Sequence, residues 1–319
     1  MNPNQVLAVS LIIRALRKMS RYTYWKPAED ASASVPLGNG DIALNAWMAP
    51  SGELCAYVGK SDSWGEFGQL YKVGRFGLRL LDRDANPVLL GQNFSWSLDL
   101  PSGSLTLRSD AGWLRLYVDA NNPCIRITAK LPPGCRAVFS LEPWRLEKRE
   151  LQVREQLGLH MGAPYPVWHG KDTLPELSAG QIACFHHNEA SSWKANLERQ
   201  GLGDLANEED DPLLGRTFGL LARGVGASRE SVQALCIENA ATVEWTIVVL
   251  TSVVSSPGQW IDAAQKLADQ CVQVEPEAAW RAHLNWWEAF WQRSHIRIDG
   301  NEAGRKVAAG YEVQRYLNA

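Results

Sequence analysis

A two-residue alternation of apolar and polar side chains through the middle of the chain constrains the fold more than any other feature. Leu105 and Leu107 alternate with polar neighbours in SLTLRS, Leu114, Leu116 and Val118 in WLRLYVD, and Ile125 and Ile127 in CIRITAKL. In RAVFSLEP, Ala137, Phe139 and Leu141 share one face, and Val138 and Ser140 the other. Successive side chains of a strand point to opposite faces, so this period marks strands with one face on a core. Asp110-Ala111-Gly112, Asn121-Asn122-Pro123 and Pro132-Pro133-Gly134 punctuate the runs with turn chemistry. The spacing predicts a four-stranded antiparallel meander. Similar runs at Leu54–Val58, Phe76–Leu81, Ser231–Ile237 and Val243–Val254, with no helices between, extend it to a mainly β fold, a large antiparallel β-sandwich.

After Val254 the period lengthens. Ser255 or Ser256 can cap a helix with Pro257 in its first turn, and Trp260, Ala264, Leu267 and Cys271 follow at helical spacing. Pro276 and Glu277 open a second helix, whose expected stripe is Trp280, Leu284, Trp287 and Trp291. A short strand, His295–Ile298, comes next, and Ala303 to Ala319 is again helical without a glycine stop. The expected organisation is an amphipathic extension over 1–20, a β domain over 21–255, linker helices and a short strand over 256–300, and a last helix over 301–319.

A net charge of -3 and a pI near 6.1 exclude a broad nucleic-acid or anionic-membrane surface, which needs clustered Lys and Arg. No run approaches the roughly 20 apolar residues of a membrane span, and the apolar stretch Val6–Ile13 has its basic residues on the wrong side for a secretory signal. The six cysteines are scattered without a CxxC and read as small buried hydrophobes, neither a zinc site nor a disulfide framework. The 14 tryptophans can fill a core, and some can serve as stacking platforms for the C–H faces of sugars.

The densest polar cluster is PLGNGD followed by GKSDSW. Asn39 and Asp41 sit in a glycine-flanked turn, while Lys60, Asp62 and Trp64 lie at the end of a strand-like run. An amide, two carboxylates, an ammonium and an indole at one sheet edge suit a polyhydroxylated ligand, and the same residues also make an ordinary structural turn. Asp41 and Asp62 could be read as a glycosidase carboxylate pair, although nothing in the sequence sets their separation. His186 and His187, adjacent on a strand, point to opposite faces and do not co-ligate a metal from that strand. The acidic run Glu208-Glu209-Asp210-Asp211 reads as a solvated loop. No metal site and no cofactor motif are expected.

PLGNGDIALNAW, YVGKSDSW, CFHHNEASSW, DPLLGRTFG and WWEAFWQRSHIRI, in that order, resemble an uncharacterised bacterial domain family that precedes six-hairpin (α/α)6 glycosidase barrels. Its architecture is similar to that of inverting α-L-fucosidase-like enzymes, although His187 stands where an Arg is expected. The resemblance covers residues 22–319. It implies a β-supersandwich, linker helices and, in YEVQRYLNA, the first helix of a truncated barrel. The catalytic acid and base would then lie beyond Ala319, with no catalytic residue in this chain. Asn39, Asp41, Lys60, Asp62 and Trp64 would line one wall of the cleft for an oligosaccharide substrate, with the barrel as partner. A periplasmic or extracellular location is the one the resemblance favours. A free-standing carbohydrate-binding protein is the alternative.

Overall fold

A computed structural model describes residues 20–152, 155, 167–207, 210–294, 296, 298 and 300–319. The extension expected over residues 1–20 lies outside them except for Ser20, whose amide and hydroxyl both donate to Glu312. In chain order the strands begin with β1 (Arg21–Tyr24), β2 (Val35–Gly38), β3 (Ile42–Met48), β4 (Glu53–Trp64) and β5 (Leu70–Leu81). Then come β6 (Ser95–Asp99), β7 (Ser104–Ser109), β8 (Gly112–Val118), β9 (Cys124–Glu142), β10 (Arg149–Glu150), β11 (Trp168–His169) and β12 (Gln181–His187). A short helix α1 (Trp193–Arg199) precedes β13 (Arg216–Gly224), β14 (Ser228–Arg229) and β15 (Ala234–Val253). Helices α2 (Pro257–Gln273), α3 (Pro276–Arg293) and α4 (Glu302–Leu317) complete the described chain.

All strands but β10 and β11 join one antiparallel sheet, ordered β1-β6-β7-β8-β9-β5-β4-β3-β2, with β15, β13 and β12 attached through β9. The sheet is curled. Strands β2 and β3 come against β8, and β13 against β4 and β5, although these pairs are not neighbours in the strand order. The alternation that predicts the strands also fills the core. Leu105 faces Leu116, Leu107 faces Leu114, and Leu116 faces Ile127, all buried.

The predicted meander is corrected at Pro132-Pro133-Gly134. The chain does not reverse there, and β9 runs through as one 19-residue strand. Its first half pairs with β8 and its second with β5. Gly134, at φ 86, gives the bend its left-handed residue, which a side chain would resist. The runs expected as two strands at Ser231–Ile237 and Val243–Val254 are likewise one strand, β15, carrying register shifts between Ile237 and Thr242. Two bent strands lying along each other let one sheet wrap around a core, where separate hairpins would build two sheets.

Helix α2 lays Trp260, Ala264, Ala268 and Cys271 on a buried cluster with Cys124, Phe185, Leu221 and Val248. Ser256 stands at its N-cap but makes no side-chain capping bond. The buried stripe of α3 is Ala279, His283, Trp287 and Trp291, four residues apart, so Trp287 and Trp291 hold and the first two expected positions shift by one. Trp280 and Leu284 flank it, half-buried. Trp287 and Trp291 belong to the main core, and Tyr316 of α4 stacks on Trp287 at 5.5 Å while donating to Pro36 O of edge strand β2. Burying large aromatic side chains of this kind contributes about 2–3 kcal/mol each. Of the short strand expected at His295–Ile298, only Ile296 and Ile298 are described, and neither lies in a strand. No helix of the described residues is long and apolar enough to cross a membrane.

Candidate functional site

The turn between β2 and β3 and the far end of β4 meet at one edge of the sheet. Ile42 pairs with Lys60, and Ser61 N donates to Asp41 O. Of the two glycines flanking Asn39, only Gly40 takes positive φ. Asn39 is wholly engaged in the turn. Its Oδ1 accepts from the amides of Asp41 and Ile42, and its Nδ2 donates to Asp119 O. That is the Asx geometry expected of Asn in a tight loop. Lys60, Asp62 and Trp64 lie within β4, not after it.

The Lys60 side chain, 8% exposed, sets its ammonium between two half-exposed aspartates. It donates to Asp41 Oδ1 and Oδ2 at 2.8 and 3.0 Å and to Asp62 Oδ1 at 2.8 Å. Ser61 Oγ adds a bond to Asp41. All three ammonium protons are spent inside the triad, which carries one net negative charge and shows carboxylate oxygens to solvent. Partial burial pushes the Asp62 carboxyl up, but the bond and charge of Lys60, with the Arg216 charge, more than offset it and hold it below the usual range. A glycosidase acid needs the opposite shift.

A cleft of about 610 Å³ opens beside the triad, lined by Asp41 and Lys60, by Leu70 and Lys72, and by Tyr316 and Ala319. Asp62 and Trp64 do not line it, although the Trp64 indole is exposed. The motif segments further along the chain serve as its scaffold. Asn188 Nδ2 donates to Trp64 O and Leu213 O, Arg216 Nη1 donates to Asp62 O, and Asp211 accepts from the amides of Leu213 and Leu214. Asp211 therefore caps a turn, while Glu208 and Glu209 lie outside the described residues.

Behind this edge lies a network that sequence reading foresaw only at His186. His186 is buried, with Nε2 3.0 Å from Glu66 Oε1 and Nδ1 3.2 Å from Asp172 Oδ1. Arg145 Nε donates to the same Asp172 oxygen at 2.7 Å, and Tyr71 OH reaches Glu66. Burial disfavours charge on His186, but the two carboxylates outweigh it and raise its pKa, against the opposing charge of Arg145. When His186 carries its proton, two cations balance two carboxylates. His187, on the other face as alternation requires, lies 2.6 Å from Thr217 Oγ1. The contacts span 120 positions from Glu66 to His186 and 27 from Arg145 to Asp172, so no local spacing announces them. Among the described residues, no group of three or more His, Cys, Asp or Glu side chains could hold a metal ion.

Comparison with known proteins gives one family. Residues 23–296 match the family described as "Domain of unknown function (DUF5703)". Among curated proteins, none matches the chain. A solved structure described as "Putative kojibiose phosphorylase from human microbiome" is similar at 12% identity and a TM-score of 0.47, over 93% of this chain. This chain spans 41% of that structure's chain.

Proposed function

The chain belongs to the family described as domain of unknown function DUF5703, and from that premise we propose that it is the β-rich, non-catalytic portion of a carbohydrate-active protein. Its role in this reading is to support a helical catalytic domain and to contribute one wall of the sugar cleft. The observation that carries the reading is the Asp41–Lys60–Asp62 triad at the mouth of the 610 Å³ cleft. Carboxylate oxygens oriented by a shared buried ammonium accept hydroxyl protons well, and Lys72 on the same lining can meet a hydroxyl or ring oxygen. Asp41 and Lys60 are the wall, with Trp64 flanking it, and Asn39 and Asp62 hold the turn and the ammonium in place.

Titration with a panel of neutral and uronic-acid oligosaccharides, followed by tryptophan fluorescence and calorimetry, tests this. One of these sugars should bind the wild type and bind Asp41→Asn at least tenfold more weakly while circular dichroism stays unchanged. Equal affinity for Asp41→Asn, or no response to any sugar with or without a helical domain supplied in trans, removes the cleft from consideration.

The alternative, a free-standing carbohydrate-binding protein, draws on the exposed Trp64 indole flanking the cleft as a stacking face for a sugar. Tight binding by the chain alone favours it. Binding that appears only when a helical domain is supplied in trans favours the first reading.

A further inference from the structure

Helix α2 covers only part of the outer face of the sheet, and that face changes character where the helix ends. Under α2 it is apolar, with Cys124 of β9, Val248 of β15, Leu221 of β13 and Ala183 of β12. Two residues along each of these strands, at the next position on the same face, stand Arg126, Thr246, Arg223 and Gln181. Strand pairing sets them side by side. Arg126 pairs with Thr246, Thr246 with Arg223 and Arg223 with Gln181, while Tyr117 of β8 continues the row beyond Arg126. Their chain neighbours Leu116, Ile127, Ile247, Ala222 and Ile182 belong to the main core. The whole row lines a cavity of about 380 Å³, together with Thr128 and Glu244, which pair with each other in the next row. Val272, Val274 and Pro276, where the chain passes from α2 to α3, give the cavity an apolar side.

The row is braced but not saturated. Arg126, only 5% exposed, donates from Nε to Asp119 Oδ2 at 2.8 Å and from Nη2 to Cys271 O at 3.1 Å. Arg223 Nε donates to Gln181 Oε1 at 3.2 Å and its Nη1 to Asp269, and Gln181 Nε2 donates to Ser178 Oγ. Among the described residues, Arg126 Nη1, Arg223 Nη2, the Thr246 hydroxyl and the Glu244 carboxylate make no hydrogen bond. We propose that this cavity is a second binding site, for a neutral mono- or disaccharide. Both guanidiniums already face a carboxylate, Asp119 and Asp269, and Glu244 adds a third, while nearby Arg115 and Glu277 pair with each other at 3.7 Å. That surplus of carboxylate disfavours an inorganic anion. Guanidinium N–H groups donate, Glu244 accepts and threonine hydroxyls do either, the mixture that sugar hydroxyls satisfy. Strands roughly 4.8 Å apart space these groups on the scale of a pyranose ring, and the apolar side suits its C–H face. The volume falls within the range of about 300–1,000 Å³ usual for small-molecule sites. This cavity shares no lining residue with the cleft beside Asp41, so the two sites stand or fall separately.

The full chain is titrated with glucose, galactose, mannose, xylose, sucrose and trehalose by calorimetry, and the bound sugar is located by hydrogen exchange read by mass spectrometry. At least one sugar should bind and slow exchange in peptides spanning 177–182 and 272–277. Glu244→Gln should weaken that sugar about tenfold, with circular dichroism unchanged. Should that variant not fold, Thr246→Val takes its place, with a smaller loss expected. No response to any of these sugars, unaltered affinity in the folded variant, or protection confined to other peptides overturns the proposal. So does tighter binding of citrate or glycine, titrated alongside. Weakening by Asp41→Asn in place of Glu244→Gln would put the sugar in the cleft, overturning this site while upholding that reading.

Discussion

His186 in β12 and His283 in α3 are both shut away from solvent, yet their surroundings push their pKa values in opposite directions. His186 faces two carboxylates, Glu66 and Asp172, which favour its charged form and raise its pKa. His283 faces only backbone along its ring nitrogens. Its Nδ1 accepts from Ala120 N at 3.2 Å and its Nε2 donates to Ser102 O at 2.8 Å. Burial drives its pKa down to about 4, the Ser102 bond and the Asp119 charge only partly opposing, so the ring stays neutral. A protonated Nδ1 would turn the Ala120 contact into donor against donor. The difference shows that burial does not set the state of a histidine. Whether the polar neighbours are carboxylates or peptide groups does. It also separates two kinds of joint in the molecule, a charged one inside the β domain and a neutral one between the sheet and its helices.

Breaking the charged joint should cost most. Arg145→Met leaves Asp172, with no exposed side-chain surface, short of its guanidinium partner, and stability should fall by about 3–5 kcal/mol in urea unfolding. A loss under 1 kcal/mol would mean that His186 alone balances both carboxylates.

The neutral joint should fail in acid. An unfolded histidine takes up its proton near pH 6.5 while His283 resists until about 4, so between these values the unfolded chain binds more protons. Stability should fall by about 3 kcal/mol across that window from this group, and His283→Gln should flatten the profile measured by unfolding at pH 7 and pH 4.5. Parallel profiles for the two proteins would contradict the neutral assignment.

The helix side of that joint rests on Gly103, at φ 53, where an added Cβ would lie 2.3 Å from the Trp287 ring. Gly103→Ala should cost about 2 kcal/mol, from left-handed strain and a displaced indole, read as a lower thermal midpoint with a changed tryptophan spectrum.

The smallest effect belongs to alkaline pH. The contribution of His186 is complete below 6.5 and is lost as pH rises through its raised pKa, because its deprotonation leaves Glu66 without a cation. His186→Gln should abolish that alkaline slope while leaving the acid slope of His283 in place. Arg145, Asp172 and Tyr71 also face His186, and Arg145 remains to balance Asp172, which keeps the slope shallow.

Much of the fold was legible because its signal is local. Period two placed Leu105, Leu107, Leu114 and Leu116 on one buried face, and the change of period after Val254 located α2 and α3. The first half of the helix stripe was misplaced by one position, while Trp287 and Trp291 were placed correctly, because Trp280 and Leu284 are larger and more apolar than Ala279 and His283. Burial on α3 follows the groove against the turn at Leu100–Gly103, not hydrophobicity. At the candidate edge, the clustering of Asp41, Lys60 and Asp62 was visible in the spacing. That Lys60 holds both carboxylates, and that Asp62 and Trp64 stand outside the cleft, was not.

Alternation and turn chemistry by themselves determined that this chain is a β protein with a helical end, and which strand faces are apolar, since both depend on neighbours a few residues apart. Only the tertiary structure decided that β9 and β15 run unbroken through their apparent turns. It alone also brought His186 to Glu66 across 120 positions and His283 to Ser102 across 181. The physical reason is that a bent strand pair and a curled sheet fix long-range partners through shape. Sequence encodes shape only in the sum of many weak local preferences, and the charge state of a buried group is set after that sum is taken.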